Sequence, residues 1–525
     1  MPLFKVPKRA DDRAVAMKSK TKKTTTTIRG GSGLLGQINQ IKAMVEKNLG
    51  QFKDDYLVIR TENDLAKYID EVIKNGIVAI DTETTGLDPI LDSIVGLCLY
   101  TPNQPAVYVP INHTSYVTGA RVDNQLSEAD VLNQLVRLSA GISGVEGIDV
   151  LPDIIMFNAK FDIRVLRNQI GWKDAYCTWD AYLAARLMNE NEEHNGLKAL
   201  HKKYVLNGQG DAFSFDALFK NVPADKIPIN TFYLYAAHDA IITYELYQYQ
   251  KQFMYYDRTT TPDDRNGMNG VSWVFFNIEM PCIPVVCDME DNGIKFDFEY
   301  NQYLKDKYHA LLEDRVKQFN AICATYKDDI DAYRRKMGAN CKLDDPINIK
   351  SSTQLVILLY DIMGCEVPVD KKTKKETRTT NEATLRSMDN PVAKAVLDYR
   401  EFSTIVDTFI DKLPQCVNPK DGRIHCSFNQ YGARTGRFSS ENPNMQNIPS
   451  YNKEIRKMFV ATNEEKLVTT DTHQFEVDRW CEVECADEWK YADKIIVGDE
   501  LLLDDGSCVN VVGTIITQDS VIIEF

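Results

Sequence analysis

A short apolar run that ends in two carboxylates constrains this chain more than any other feature. Gly76–Ile80 (GIVAI) leads straight into Asp81-Thr82-Glu83. Such a run, rich in β-branched residues, predicts a buried strand. Side chains alternate along a strand, so Asp81 and Glu83 fall on one face, at the strand's C-terminal end. The surrounding segments agree. Tyr56–Arg60 (YLVIR) predicts a strand, Glu62–Lys74 a helix, and LDSIVGLCLY and AVYVPI further strands. Strand–helix–strand followed by two more strands points to an α/β domain with a mixed sheet.

Two converging carboxylates suit a hard divalent cation, which takes oxygen ligands. A DxE alone is equally a pair of surface charges, but the turn TTGLDP that follows leaves this strand end open to a substrate. Asn158–Asp162 (NAKFD) follows a second apolar run, DIIMF, and places Asp162 at the start of a helix, where it either caps that helix or joins the first two carboxylates. Tyr235 and Asp239 lie four apart on a predicted helix and so share a face; Tyr235 reads alternatively as a half-buried core tyrosine. His238, between them, takes no role.

In order, DTETTGLD, FNAKFD and YAAHDA resemble the three motifs of the DEDD-type 3′→5′ exonuclease family, in its tyrosine-bearing subtype, over roughly residues 57–252. The resemblance implies a ribonuclease H-like fold and hydrolysis at single-stranded DNA 3′ ends. It implies two Mg²⁺ or Mn²⁺ ions held by Asp81, Glu83, Asp162 and Asp239, with Tyr235 orienting the attacking water. Thr82 and Leu87 would pack on the terminal nucleotide.

Farther on, Arg434–Ser440 (RTGRFSS) and Glu441–Pro449 (ENPNMQNIP) offer arginines, hydroxyls and side-chain amides on an irregular backbone. The string resembles the TGR…SS…PN.QNIP signature of family A DNA polymerases. MEDNGIKFD (Met289–Asp297) looks like that family's approach to the palm. INIKSSTQL (Ile347–Leu355), TTNEATL (Thr379–Leu385) and LDYREFST (Leu397–Thr404) look like its thumb. By this resemblance Arg437, Gln446 and Asn447 would contact a DNA primer–template in the minor groove, whose acceptors all base pairs share. Lys371–Arg378 would meet phosphates or form a solvated loop. Asp471, ending KLVTTD, falls at the family's first metal-binding aspartate. Gln474 and Glu476 keep the register that follows, and Thr472, His473 and Asp478 depart from it.

From Cys481 the chain resembles the opening of an intein, with the Hint fold, at Cys481, Trp489, Val497, Gly498, Asp499 and Leu501. That resemblance implies a splicing nucleophile at Cys481, with Cys485 as the alternative. No second catalytic aspartate and no later splicing histidine follow in the sequence. The expectation is therefore a split element, with a second polypeptide carrying the rest of the polymerase.

Composition sets the boundaries. Length favours two or three domains. The twelve cysteines are scattered, which fits a reducing cytosol. No uninterrupted apolar run reaches bilayer length, so no membrane partner is expected. A net charge of −15 fits carboxylate-rich metal sites and leaves DNA binding to local basic patches. One such patch is the tail, with nine Lys/Arg in residues 1–30; it is either a solvated leader or a DNA tether.

The expected organisation is a basic tail and helix over 1–50 and an α/β ribonuclease H-like exonuclease domain over 51–265. An α+β partial polymerase, thumb and part of the palm, covers 271–480, and a small β-rich Hint-like segment covers 481–525. The expected protein is a phage replication enzyme acting in the cytoplasm of a bacterial host. The rival reading is a non-catalytic remnant of a polymerase gene that only holds primer–template.

Overall fold

The computed structural model describes residues 34–140, 142–143, 149–194, 196–209, 215–219, 222–254, 268–369, 375–433, 436–449 and 452–462, with strand segments of backbone alone within 475–524. The chain forms two compact units, Met1–Asp291 with Gln430–Phe438, and Asn292–Asn429 with Ser439–Phe525.

The first unit is built on a mixed sheet. Its strands are β1 (Tyr56–Val58), β2 (Ile77–Thr84), β3 (Ile94–Tyr100) and β4 (Ala106–Pro110). A short hairpin, β5 (Ile142–Ser143) and β6 (Asp149–Val150), precedes β7 (Asp153–Met156) and β8 (Trp179–Asp180). The six-stranded order is β1-β4-β3-β2-β7-β8, with β3 antiparallel to both neighbours and β7 parallel to β2. The local sequence explains the first crossover. Helix α2 (Glu62–Asn75) is capped by the Thr61 hydroxyl, which accepts the Asp64 N–H, and ends at Gly76 in the left-handed region, φ 67°. It buries Leu65, Tyr68, Ile69 and Val72 at helical spacing against the sheet.

Helix α1 (Leu34–Leu49) precedes the sheet. After α2 come α3 (Glu128–Ser139), α4 (Ala159–Val165), α5 (Ala181–Met188), α6 (Leu197–Tyr204), the short α7 (Phe215–Phe219) and α8 (Ile229–Lys251). Helix α8 is apolar around most of its circumference because it lies buried, packing across β1 to β4.

The carboxylates belong to β2 itself, which runs through Asp81 and Glu83 to Thr84 rather than stopping before them. Asp162 does not cap its helix. The N-terminal N–H groups of Asn158 and Ala159 donate instead to Asp180, at 3.0 and 2.9 Å. Asp162 is free to serve elsewhere.

Two more helices, α9 (Met268–Val274) and α10 (Met280–Asn292), continue the first unit to Asp291, past the boundary expected near 265–271. They stay with it because Phe275, Ile283 and Cys287 join its core. The helical run Gly270–Asn292 is long and apolar enough, by length and composition, to cross a bilayer. Its buried residues are core packing of this unit. A polar seam closes the contact: Glu290, with a fully buried side chain, meets Lys160 at 2.7 Å and Arg164 at 2.6 Å.

In the second unit, β9 (Ile294–Phe296) is the middle strand of a small antiparallel sheet between β10 (Arg423–Ile424) and β13 (Phe459–Val460). Asp297 caps the long α11 (Phe298–Ala324), which α12 (Lys327–Met337) follows. Shorter α13 (Ser352–Val356) and α14 (Glu382–Ser387) lead to α15 (Pro391–Ile405), which packs on α11. Leu304, Phe319, Leu355, Leu358 and Val396 fill the core. The strands β11 (Ser427–Asn429) and β12 (Ser439–Glu441) pair antiparallel. Within 475–524 seven short strands are described, and Phe475–Asp478 pairs with Ser520–Glu524, so the strand-rich region starts ahead of residue 481.

Candidate active site

Four carboxylates meet at the C-terminal half of β2. Asp81 and Glu83 come from one face of that strand and are half-buried. Across the sheet, Asp81 is paired with Cys98 and Glu83 with Gly96 on β3. One ligand atom each from Asp81, Glu83 and Cys98 lies within 4.8 Å of the others. The glycine is required there: a Cβ at position 96 would meet the Tyr108 hydroxyl at 2.2 Å.

Asp162, 2 % exposed, arrives from α4. Thr82 holds it, donating its N–H and its hydroxyl to Asp162 Oδ1 at 2.9 and 2.6 Å. Asp239 and Tyr235 arrive from one face of α8. Lys198, on α6, bridges them, donating to Tyr235 Oη at 2.6 Å and to Asp239 Oδ2 at 2.7 Å. Its ammonium also sits 3.9 Å from the centre of the Tyr235 ring.

The electrostatics follow from burial and crowding. Burial, then the neighbouring Asp162, Glu83 and Asp239, raises Asp81 well above the carboxylate range. Burial and Asp239 push Glu83 up to about 8. Burial pushes Asp162 up to about 7 against the two Thr82 bonds that lower it. Burial and Asp239 also raise the Tyr235 hydroxyl, which stays protonated. Burial and the same carboxylates push up the Cys98 thiol, so Cys98 packs as a neutral group beside the oxygens.

Such a set fits divalent metal ions. Its donors are hard oxygens, they disfavour one another's charge, and Asp239 Oδ1 is buried with no hydrogen-bond partner among the described residues. A cation would satisfy that atom and relieve the repulsion.

The structure thus brings together Asp81, Glu83, Asp162, Tyr235 and Asp239, and adds Lys198 and Thr82. Thr82 is buried beneath the site, whereas Leu87 is 90 % exposed. Lys198 was missed because a lone lysine in GLKAL looks like a solvated helix face; only the docking of α6 on α8 shows its target.

The second group of sequence-derived residues is split between the units. Arg437 is exposed and belongs to the first. The loop that carries it is anchored where Gln430 donates to Glu279, at 3.1 Å to the backbone oxygen and 2.7 Å to the side chain. Gln446 and Asn447 are exposed on a 3₁₀ turn of the second unit. Ser440 and Asn444 hold that turn by accepting the Gln446 N–H. Asp471, Cys481 and residues 371–374 of the basic run lie outside the described residues, as does the tail 1–33.

Carboxylates, a tyrosine and a bridging lysine thus gather around one strand end, and comparison with known proteins assigns the domain that holds them. Residues 56–252 match the 3′-5′ exonuclease family model, and residues 316–481 match DNA polymerase family A. The chain therefore carries a 3′-5′ exonuclease domain and part of a family A DNA polymerase domain.

It is similar to DNA polymerase I of Chloroflexus aurantiacus, 29% identical over 434 residues, covering 80% of this chain and 40% of that protein. It is also similar to DNA polymerase I of a Synechocystis strain, 30% identical over 413 residues, covering 76% and 36%. The chain thus spans about two fifths of the length of these curated relatives. Among solved structures it resembles in fold the POL domain of Pol1 from M. smegmatis in complex with DNA primer-template and dNTP. The TM-score is 0.52 at 21% identity, covering 77% of this chain and 59% of that one.

Proposed function

We propose that this chain is a proofreading enzyme: a tyrosine-bearing DEDD exonuclease with a ribonuclease H-like sheet, cutting single-stranded DNA from its 3′ end, joined to a polymerase region that holds primer–template. The observation that carries the reading is the convergence of Asp81, Glu83, Asp162 and Asp239 from β2, α4 and α8, with Asp239 Oδ1 buried and lacking a hydrogen-bond partner among the described residues. Those four residues would hold two Mg²⁺ or Mn²⁺ ions, which when bound supply charge to stabilise the attacking and leaving oxygens. Tyr235, kept protonated and fixed by Lys198, presents its hydroxyl to orient the attacking water. Thr82 keeps Asp162 in register with β2.

The test is digestion of single-stranded DNA labelled at either end, with Mg²⁺ or Mn²⁺. Stepwise loss from the 3′ end is expected, abolished by Asp81→Ala with Glu83→Ala while the fold persists. Undiminished digestion by that double variant would refute the reading.

For the polymerase region, the proposed primer–template contacts are Arg437, Gln446 and Asn447, with Asp471 as a metal-binding aspartate. A further proposal concerns Cys481 as the opening nucleophile of a split intein whose partner polypeptide supplies more of the polymerase. Its support is that the family A match stops at residue 481, where the intein resemblance starts. Mass spectrometry for a ligated product, made with a partner and lost in Cys481→Ala, checks it.

A further inference from the structure

Tyr235 and Lys198 have a second neighbour besides the carboxylates. They form one wall of a cavity of about 750 Å³. The other walls come from α6, α8, and α1 with the turn Gly50–Phe52 after it. Helix α1 lies ahead of residue 56, where the match to the exonuclease family begins. It is firmly seated: Ile41, Val45 and Leu49 are buried with Phe219, Phe232 and Tyr235.

The lining has two chemistries. One is aromatic. The Phe52 ring stacks on His238 at 5.2 Å and 27°, and the Tyr56 hydroxyl fixes that histidine by a 2.7 Å bond to Nδ1. The other is cationic. Lys47 and Lys202 line the cavity with no ion pair among the described residues. Glu245 is already engaged by His201 at 2.6 Å, which leaves Asp55 as the one uncommitted carboxylate among the described lining residues.

Stacking rings beside unpaired ammonium groups are what a nucleotide requires, since every base has a π-face and every phosphate a charge. The volume lies within the range of small-ligand pockets. We propose that this cavity is a second nucleotide site. It takes a nucleoside 5′-monophosphate unit, with the base against the Phe52–His238 pair and the phosphate held by Lys47 and Lys202. That unit comes either from the mononucleotide released next door or from a nucleotide within a bound single strand. Binding itself uses none of the four carboxylates and stands apart from the exonuclease reading.

The experiment is calorimetric titration of the full chain with dAMP in EDTA, where no cleavage occurs. Saturable binding of one dAMP is expected, weakened about tenfold or more by Phe52→Ala, the size of one lost base–aromatic stack. Lys47→Glu with Lys202→Glu, which changes only the cationic lining, should weaken it as well and guards against a fold defect in the first variant. Asp81→Ala with Glu83→Ala should leave it unchanged. Competition by a short oligodeoxyadenylate, weakened by the same variants, assigns the site to the strand; its failure to compete assigns it to the free mononucleotide. No binding of dAMP, or binding indifferent to both cavity variants, overturns the proposal. A chain that binds dAMP but digests no DNA would remove the exonuclease reading and leave this one standing.

Discussion

Thr82 stands between Asp81 and Glu83 in the chain, and both its N–H and its hydroxyl donate to a single oxygen, Oδ1 of Asp162. One residue of β2 thereby fixes a carboxylate from α4 against the two that β2 itself supplies. Thr82→Val keeps the shape and the N–H bond and removes the hydroxyl bond. A hydrogen bond to a carboxylate is worth about 1.5–3 kcal/mol, so the digestion rate should fall about tenfold or more. Thr82→Ser, which restores a hydroxyl, should recover most of it. Single-turnover rates for the three proteins decide the matter.

Gly96 faces Glu83 across the sheet, and its missing side chain is filled by Tyr108. Tyr108 cannot withdraw, being fully buried with its hydroxyl 2.7 Å from His113 Nε2. Gly96→Ala should therefore destabilise by about 1–3 kcal/mol, the usual cost of overpacking. It should also slow digestion, because the strain lands under Glu83. The urea midpoint and the digestion rate together report both effects.

Glu290 illustrates how much of the fold depends on partners distant in sequence. Its buried carboxylate serves two cations of α4, Lys160 and Arg164. Truncation to Ala removes the buried carboxylate between the two cations, though Arg164 keeps its 2.6 Å pair with Asp291, at a cost of about 3 kcal/mol. Urea unfolding of Glu290→Ala against the unmutated chain measures it. A change within about 0.5 kcal/mol, typical of exposed sites, would contradict the buried-pair argument.

These same residues mark where the sequence was legible. Alternation along β2 placed Asp81 and Glu83 on one face, and helical spacing placed Tyr235 with Asp239, because both depend only on local geometry. Asp162 was ambiguous locally, since a helix start invites a cap. The ambiguity is resolved by Asp180, some twenty positions later, which takes the N–H groups of Asn158 and Ala159. Lys198 and Gly96 were silent for the same reason: their meaning lies in α6 docking on α8 and in β4 lying beside β3. The boundary expected near 265–271 lies where the sequence reads GMNG, with two glycines and an asparagine. The unit runs on to Asp291 because Phe275 and Ile283 fit its core.

Arg437 gives a prediction about DNA that does not depend on catalysis. A side chain reading minor-groove acceptors shared by all base pairs tests pairing and not sequence. Arg437→Ala should weaken primer–template binding by roughly 1–3 kcal/mol whatever the terminal base pair. Fluorescence anisotropy on duplexes differing at that pair checks it. A loss confined to one sequence would overturn the assignment.

The carboxylate cluster also fixes how stability should vary with pH in the absence of metal. Glu83 is raised to about 8, Asp162 to about 7 and Asp81 well above the carboxylate range, chiefly by burial. In the unfolded chain such groups titrate near about 4. Between these limits the folded protein binds more protons than the unfolded chain, so stability falls as pH rises. This sign is opposite to that of a salt-bridged carboxylate, whose contribution is lost on acidification. The penalty is absent below about pH 4, where both states are protonated, and complete once the folded-state groups have ionised, above about pH 8. In EDTA the melting temperature should therefore drop between about pH 5.5 and 8.5. Mg²⁺ or Mn²⁺ should restore it more at the alkaline end, because metal and protons compete for the same oxygens. Asp81→Asn with Glu83→Gln removes two of the titrating groups and should flatten the slope. If the melting temperature of the unmutated chain in EDTA fell no more steeply than that of the double variant, the three carboxyls would not be held above their ordinary range, and the crowded-carboxylate account of the site would fail.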